Sequence, residues 1–325
     1  MTAFDERPIR IGTRSSRLAM WQANHVAELL RTTQTQRTVE IVPLSTSGDR
    51  NQSDPLAAMG GTGVFTREVQ AAVLDGRADI AVHSLKDLPT QTADQQLTLA
   101  GIPARGPRFD LLVWPTEMQP IDEQSLGIDA LPAGARVGTG SPRRVAQLLN
   151  HRPDLQLSGV RGNVETRLRK LNEGEFDALI LAEAGLSRLG IDGQPLTVIG
   201  PPWMFPAVGQ GALGIECRVD DADVIACLQQ ISDERTKVEV TAERALLRTL
   251  EAGCHAPVAV LADVTDSSLR VTGLVLSLDG AVRIQAAETG DVGEAEAVGC
   301  RLAERLFKLG ARPLIDAGES HFQQQ

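Results

Sequence analysis

The sequence predicts an α/β protein built from two similar domains and a smaller C-terminal α+β domain. Two pairs of similar segments predict the duplication: residues 10–19 resemble residues 136–146, and residues 74–82 resemble residues 171–180. The chain of 325 residues is long enough for two or three domains, each with its own core. From residue 232 onward a helical pattern and then alternating strands replace the earlier pattern, which indicates a different, smaller domain.

The first pair of segments predicts a strand, a tight turn and a helix start in each half of the chain. Both segments run from a β-branched strand end through Gly-Thr to a serine. In the second one, Pro142 stands at the first helical position with Ser141 as its cap. Backbone N–H groups at a helix start favour anions, and the arginines beside each turn add bidentate contacts to carboxylates or phosphates. We therefore expect an anion site in each half.

The second pair predicts a helix end, a glycine cap and a short buried strand of the kind found in parallel sheets. Pro- and Gly-rich segments at residues 101–107 and 200–206 suit a crossing between the two domains and a return, which would place a ligand in the cleft. We expect domain 1 to comprise residues 1–102 and 203–230, domain 2 residues 103–202, and domain 3 residues 231–325.

The third domain is predicted to contain a helix over residues 237–250, three strands and a final amphipathic helix over residues 294–309. The strands are expected around residues 258–264, 269–278 and 282–288, because apolar residues alternate there between turn signals. The loop at residues 251–257, which contains Cys254, joins the first of these helices to the first strand.

Composition narrows the classes of function. With 32 Lys+Arg against 42 Asp+Glu, the formal net charge of −10 disfavours a general nucleic-acid binder, and so do 3% aromatic residues without any tyrosine. The sequence has no apolar run long enough to span a bilayer, and residues 1–12 lack the pattern of a secretory signal. The four cysteines form no C-x-x-C pair, so we expect neither a metal site nor a disulfide framework. A cytoplasmic location is expected.

Polar residues directly after a predicted buried strand form the first candidate site. His83, Ser84, Lys86 and Asp87 follow the apolar residues 78–82, and ligands of open α/β sheets bind beyond the carboxyl ends of strands. A solvated loop in which Asp87 caps the turn or pairs with Lys86 is the alternative.

Arginines in Gly- and Ser-rich turns form the second candidate site. They are Arg14, Arg17, Arg143, Arg144, Arg161 and Arg167. Any one of them could be a surface ion pair of little consequence, but their clustering indicates a substrate with several negative groups, and guanidinium groups match carboxylate geometry. A polycarboxylate suits them better than a nucleic acid.

Cys254 is the one cysteine whose surroundings favour chemistry. It lies in a loop between a helix and a strand and precedes His255, whereas Cys217, Cys227 and Cys300 lie within apolar patterns typical of buried thiols. A loop thiol beside a histidine is a candidate nucleophile, although a structural role stays open.

These segments together resemble the porphobilinogen deaminase family, also called hydroxymethylbilane synthases. The matching strings are IGTRSSRLAMWQA (residues 11–23), HSLKDLP (83–89), VGTGSPRRVAQL (137–148), RGNVETRL (161–168), LAEAGLSRLG (181–190), PAVGQGALGIECR (206–218) and EAGCHAPV (251–258). The resemblance implies two domains like those of type II periplasmic binding proteins and a third domain that carries the cofactor. It also implies the condensation of four porphobilinogen molecules, with release of ammonia, into hydroxymethylbilane by a monomeric cytoplasmic transferase.

The resemblance implies a role for each matching residue. Cys254 holds a dipyrromethane cofactor through a thioether, and Asp87 is catalytic, stabilising positive pyrrole nitrogens and assisting proton transfer. The expected cofactor-binding residues are Ser84, Lys86, Asp87, Ser141, Arg143 and Arg144. The expected substrate-binding residues are Arg14, Ser16, Phe65, Arg161, Arg167 and Arg188. No metal, nucleic acid or membrane is implied.

The Gly-rich loop departs from the family pattern. Family members commonly carry lysines before the position of Phe65, and this chain has Ala58 and Thr62 there. Either Arg67 compensates or the loop contacts to substrate carboxylates are weaker. Two alternative functions remain at this point: a solute-binding or sensor protein with a two-domain clamp, and an acyltransferase that uses the Cys254 thiol with His83 or His255.

Overall fold

A computed structural model describes residues 7–33, 37–44, 66–91, 94–117, 127–253 and 256–323. The chain forms two compact units. Unit 1 consists of Met1–Gly106 and Ala212–Lys237, and unit 2 of Pro107–Gly211 and Val238–Gln325. The first crossing falls within the predicted segment 101–107, and the return lies beyond the predicted segment 200–206. The division of the chain into three domains stays a prediction.

The described residues form the following elements. The strands are β1 (Ile9–Arg14), β2 (Val39–Leu44), β3 (Ile80–Ser84), β4 (Leu97–Gly101), β5 (Asp110–Val113), β6 (Arg136–Gly138), β7 (Gln156–Ser158), β8 (Ala178–Ala182), β9 (Leu196–Ile199), β10 (Leu213–Arg218), β11 (Val258–Thr265), β12 (Ser268–Leu276) and β13 (Arg283–Asp291). The α-helices are α1 (Arg17–Arg31), α2 (Arg67–Leu74), α3 (Pro142–His151), α4 (Val164–Asn172), α5 (Glu183–Leu189), α6 (Ala222–Gln230), α7 (Glu234–Thr249), α8 (Ala295–Lys308) and α9 (Arg312–Gln323). Short 3₁₀ turns occur at Leu85–Asp87, Ile128–Ala130 and Val292–Glu294.

Unit 1 is built on a five-stranded sheet in the order β2-β1-β3-β10-β4. Strand β1 is parallel to β2 and β3, whereas β10 is antiparallel to β3 and β4. Alternate residues of β3 enter two different apolar clusters: Ile80 and Val82 join one, and Ala81 joins the other. Helices therefore cover both faces of this sheet, as expected for a parallel α/β arrangement.

Unit 2 repeats this arrangement in its α/β part. Its five-stranded sheet has the order β7-β6-β8-β5-β9, with β6 parallel to both neighbours and β5 antiparallel to both of its own. The position of β10 in the first sheet thus corresponds to that of β5 in the second. Both predicted pairs of similar segments occupy matching places, since β1 and α1 correspond to β6 and α3, and β3 corresponds to β8.

Local sequence explains where these elements begin and end. Ser16 caps α1 by accepting a hydrogen bond from the Ala19 N–H, and Asn163 caps α4 in the same way from Thr166. Gly76 and Gly174, which follow α2 and α4, have φ angles of +78° and +81°, a region that favours glycine. The glycine caps that the sequence predicts before β3 and β8 are confirmed.

The rest of unit 2 is an antiparallel sheet in the order β11-β12-β13 with helices against it. Val271 and Val275 of β12 face the core formed with α7 and α8, whereas Leu274 and Leu276 contact Ala146 and Phe205 of the α/β part. The prediction of a smaller α+β part is confirmed. Helix α9 is a correction, because the sequence analysis places the final helix at residues 294–309.

The structure confirms the α/β class with two matching sheets. Among the described residues, no helix is both long enough and apolar enough to cross a membrane.

Candidate active site

The turn after β1 places two predicted ligand residues of unit 1. Thr13 is buried and its hydroxyl donates to the Ala19 carbonyl over 3.2 Å, which closes the turn onto the first turn of α1. Ser16 is half-buried and its hydroxyl oxygen caps the helix, while Arg14 is half-buried at the end of the strand. The first turn of α1 contains no acidic side chain, so the local field there is positive.

The catalytic candidate Asp87 follows the carboxyl end of β3. The Leu85 N–H donates to the Ala212 carbonyl over 3.0 Å, and the Leu88 N–H donates to the Leu85 carbonyl over 3.1 Å. Asp87 is exposed on the resulting 3₁₀ turn, and none of the described residues pairs with its carboxylate. The alternative in which Asp87 pairs with Lys86 finds no support in the described part of the chain. The Asp87 carboxylate is available to a ligand.

Buried apolar side chains hold this turn in place. Leu85 and Leu88 are buried, and a Cβ at Gly214 of β10 would lie 2.8 Å from Leu85 Cδ1 and 3.0 Å from Leu88 Cδ1. Only glycine leaves room for these two side chains. Ser84 is half-buried and accepts a hydrogen bond of 2.8 Å from Nε2 of Gln22, and Lys86 is half-buried.

In unit 2, Arg143 and Arg144 are both buried around one carboxylate. Arg144 donates from Nε and Nη2 to Oδ1 of Asp110 over 3.1 and 2.7 Å, and from Nη1 to the Ile180 carbonyl. Arg143 Nη1 lies 2.9 Å from Oδ2 of Asp110 and also donates to the Phe205 carbonyl. Burial alone would raise the pKa of Asp110, but the two guanidinium groups outweigh it and lower that pKa to about 2.

Gln210 completes the surroundings of this carboxylate. Its Nε2 donates to Oδ1 of Asp110 over 3.0 Å and to the Arg108 carbonyl over 2.9 Å. Arg188, a predicted substrate ligand, is half-buried and donates from Nη2 to the Gly211 carbonyl over 2.6 Å. Burial lowers the pKa of Arg188 to about 10. Asp110 and Gln210 were not identified as site residues by the sequence analysis.

Arg167 is a partly buried cation in a positive environment. Its Nε donates to the Gly162 carbonyl over 2.9 Å, and no carboxylate of the described residues forms an ion pair with it. Burial, together with the positive charges of Arg144 and Arg161, lowers the pKa of Arg167 to about 10. Such a group gains stability when an anion approaches it.

The turn before α4 holds Arg161 and shapes this environment. Gly162 has a φ of +106°, and a Cβ there would lie 2.6 Å from Cγ2 of Thr166. Arg161 is exposed. Ser141 is half-buried at the cap position of α3, but its side chain makes no capping hydrogen bond, contrary to the cap predicted from the sequence.

Cys254, His255, Phe65 and the Gly-rich loop with Ala58 and Thr62 lie outside the described residues. On either side of the cysteine, Ala252 and Ala256 are buried in the C-terminal core. Of the other cysteines, Cys217 is buried, and this burial raises the pKa of its thiol to about 12. That thiol stays protonated at neutral pH.

His83 occupies a different place from the one predicted. We expected it to touch a ligand, but its side chain is 4% exposed and its Nε2 lies 3.2 Å from Oε2 of Glu216. Glu216 also accepts a hydrogen bond of 2.8 Å from Nε2 of Gln70. The sequence analysis did not identify Gln70 or Glu216.

Comparisons with known proteins match almost the whole chain. The family model described as "Porphobilinogen deaminase, dipyromethane cofactor binding domain" matches residues 9–226, and that described as "Porphobilinogen deaminase, C-terminal domain" matches residues 237–308. The porphobilinogen deaminase of Maridesulfovibrio salexigens is 42% identical over 310 residues, which are 95% of this chain and 98% of that one. The porphobilinogen deaminase of Syntrophotalea carbinolica is 44% identical over 309 residues, 95% of each chain. Among solved structures, the probable amino-acid ABC transporter binding protein ytmK of Bacillus subtilis superposes with a TM-score of 0.42 at 12% identity, covering 70% of this chain and 92% of that one.

Proposed function

The chain belongs to the porphobilinogen deaminase family, and we propose that it builds hydroxymethylbilane on a dipyrromethane held by Cys254. As a member of this family it is a transferase of tetrapyrrole biosynthesis that condenses four porphobilinogen molecules head to tail with release of ammonia. The match of the two family models over residues 9–226 and 237–308 carries this conclusion. Neither a solute-binding protein nor an acyltransferase is favoured by these relatives.

The described residues suit a dipyrromethane. Each of its pyrroles carries an acetate and a propionate, so its binding residues must neutralise several carboxylates. We assign this binding to Ser84, Lys86, Asp87, Ser141, Arg143 and Arg144. When bound, the dipyrromethane supplies the free pyrrole α-carbon from which the product is extended.

Arg143 and Arg144 act on these carboxylates through their charge. Their donors are largely occupied by Asp110 and by backbone carbonyls. Two guanidinium groups share one carboxylate, however, so a net positive charge remains buried at the start of α3. In a low-dielectric interior such a charge attracts an anion strongly.

Arg167 supports a site for substrate carboxylates. Its positive neighbours and its burial make the free cation costly, and a carboxylate ligand would relieve that cost. We assign substrate binding to Arg14, Ser16, Phe65, Arg161, Arg167 and Arg188. Ser16 and Arg188 already make hydrogen bonds that fix their positions.

Asp87 is the proposed catalytic residue. Its carboxylate is exposed on a turn whose backbone is fixed by hydrogen bonds and by buried leucines. A carboxylate held in this way stabilises positive charge that develops on a pyrrole nitrogen and can accept its proton. An amide of the same shape has neither property.

We further propose that the protein is a cytoplasmic monomer that binds porphobilinogen and neither nucleic acid nor membrane. The net charge of −10 supports the exclusion of nucleic acid. Size-exclusion chromatography with light scattering tests the oligomeric state, and a dimer would contradict it.

Mass spectrometry of the intact, denatured protein tests the cofactor. We expect a covalent dipyrrole adduct, mapped by peptide analysis to Cys254, together with colour in Ehrlich's reagent. Cys254→Ser should lose both, whereas Cys227→Ser, which changes the partly buried thiol of α6, should keep both. An active enzyme with an unmodified Cys254 would overturn the proposal.

A further inference from the structure

A buried histidine and a buried glutamate lie on the neighbouring strands β3 and β10, and β3 leads into the proposed catalytic turn. The side chains of His83 and Glu216 are 4% and 5% exposed, and Nε2 of His83 lies 3.2 Å from Oε2 of Glu216. The contact lacks the alignment of a hydrogen bond, and no other group accepts from or donates to His83 Nε2 in the described part of unit 1. Polar groups buried this deeply cost free energy unless they are paired or hydrogen-bonded, so an incompletely bonded pair at this place points to a role in the site.

The pair joins elements that surround the end of β3. His83 is on β3 and Glu216 on the neighbouring strand β10, where Gly214 pairs with His83 in register. Glu216 is also held from α2 by Gln70, over 2.8 Å. One residue further along β3, Ser84 is held from α1 by Gln22. The two residues that lead into the 3₁₀ turn are therefore contacted by side chains of β10 and α1, and a side chain of α2 holds the one from β10.

We propose that His83 and Glu216 are positioning residues that hold the Ser84–Asp87 segment in its catalytic geometry. The inference rests on the proposed function of Asp87, which is four residues from His83. His83 itself has no route to the reactants, because its side chain is buried. Its effect is exerted through the backbone of the turn.

The physical basis is that the rate of a catalysed step falls steeply when a reacting group is displaced. A misplacement of about 1 Å at a reacting group costs on the order of 100-fold in rate. The short His83–Glu216 contact and the Gln70 hydrogen bond to Glu216 resist such movement, because any shift separates these desolvated groups further from the groups that face them. Loss of one partner should therefore loosen the turn, and loss of both should be less harmful than loss of either one.

The test compares His83→Gln, Glu216→Gln and the double variant H83Q/E216Q. Activity is expressed per mole of folded, cofactor-loaded enzyme, so a smaller yield of folded protein does not count as slower catalysis. We expect each single variant to lower kcat by about tenfold or more while KM changes less than about twofold. The double variant should recover to within about threefold of the native kcat, because neither original group is then left buried beside a mismatched partner.

Asp79→Asn is the matched control for a loss of stability. Asp79 immediately precedes β3, at the end of the strand opposite to the turn, and pairs with Arg10 over 3.0 Å. The Asp79→Asn variant should lower the melting temperature of the protein without changing kcat of the loaded enzyme. If D79N lowers kcat as much as H83Q does, the effect is one of stability and the inference is wrong.

Coupling to Asp87 separates this inference from the proposed function. In an Asp87→Asn background, His83→Gln should add less than about a twofold loss, because a positioning residue has nothing left to position. If the losses of rate caused by D87N and H83Q multiply, as those of independent residues do, the inference is wrong. A near-normal rate for D87N alone would instead remove the proposed function of Asp87, whatever the His83 variants show.

A further variant decides the case if the single variants do not fold. Gln70→Ala removes the hydrogen bond that holds Glu216 from α2 without changing either member of the pair. We expect about a threefold lower kcat, which disappears in the D87N background. An unchanged kcat would overturn the inference.

Discussion

Asp87 and Asp110 illustrate how surroundings assign different duties to the same side chain. Asp87 is exposed after a strand, and the described residues leave its carboxylate without a partner. Asp110 is 0% exposed, and two arginines hold its pKa at about 2. Asp110 therefore remains a fixed negative charge at neutral pH, whereas Asp87 is open to a cationic ligand.

Replacing Asp87 by asparagine tests its role at the residue scale. We expect kcat to fall by at least about 100-fold with KM nearly unchanged, because the amide keeps the shape but loses the charge and the basic oxygen. Steady-state kinetics with porphobilinogen measure this. Asp220→Asn, which changes another exposed aspartate of unit 1, should leave kcat unaltered. Turnover near the native rate in D87N would exclude Asp87 from the chemistry.

Arg167 offers a test of carboxylate binding. Arg167→Gln should raise KM for porphobilinogen by about tenfold or more, the scale of a lost charge-assisted hydrogen bond. The melting temperature should stay the same or rise, because a cation with positive neighbours is removed. Arg169→Gln is the matched control, since Arg169 lies on the same helix, is exposed and pairs with Glu173. Equal effects of the two variants on KM would contradict the assignment.

At this scale the sequence predicts which residues are polar and near strand ends, but not which of them are buried. His83 follows apolar residues of β3, and since both faces of this sheet are covered, alternation along the strand does not indicate solvent. Asp110 begins the apolar run DLLVW. A single acidic residue at the start of an apolar run indicates a buried ion pair. The partner of Asp110, however, is Arg144, which lies 34 residues away in the chain. That pairing depends on tertiary structure.

At the scale of elements, the duplication extends to a repeated ion pair. Asp79 accepts from the backbone N–H and the guanidinium of Arg10, and Asp177 does the same for Arg136. Each pair ties the start of one parallel strand to the start of its neighbour. The pair in unit 1 is more buried than that in unit 2, since the Asp79 side chain is 9% exposed and that of Asp177 39%.

The Asp110 cluster fixes helix α3 to strand β5, and pH tests this contact. Asp110→Asn should lower the free energy of unfolding at pH 7 by about 3–5 kcal/mol, because two buried guanidinium groups lose their carboxylate. The lowered pKa means that the proton-linked part of this stabilisation is fully present above pH 4 and is lost as the pH falls through about 2. The proton-linked part amounts to about 2 kcal/mol.

Denaturant unfolding of the native protein and D110N between pH 7 and pH 2 measures this difference. The difference between the two free energies should narrow by about 2 kcal/mol as the pH falls from 4 to 2. Glu173→Gln is the control, because it removes an exposed ion pair with Arg169 and should change stability little. A difference between native protein and D110N that does not depend on pH would show that Asp110 is not ionised in the fold.

The order of elements was largely predictable, because glycine caps and helix-start serines occur at matching places in both halves. Helix α9 was missed since Gly310 and Pro313 indicate a break after α8. The structure uses both: Gly310 has a φ of +96° and ends one helix, and Pro313 lies in the first turn of the next. Gly310 and Pro313 are compatible with either a loop or the start of a new helix. The packing of Ile315 into the core favours the new helix.

At the scale of the whole molecule, each unit has its own apolar cores, so we expect the chain to fold without the proposed cofactor. Cys254→Ser should therefore fold with a native circular dichroism spectrum and lack the Ehrlich colour. We expect C254S to unfold at nearly the same denaturant concentration as the native protein and to show no turnover. A C254S protein that is unfolded would show that the cofactor, or the thiol itself, is needed for the fold.

The place of β10 between β3 and β4 has a consequence for synthesis on the ribosome. The nascent chain has made β1 to β4 long before residues 213–218 leave the exit tunnel, and by then β5 to β9 have already been translated. The first sheet therefore waits with an inner position empty while the second sheet can close, so the sheet that begins first along the chain is completed after the sheet that begins second.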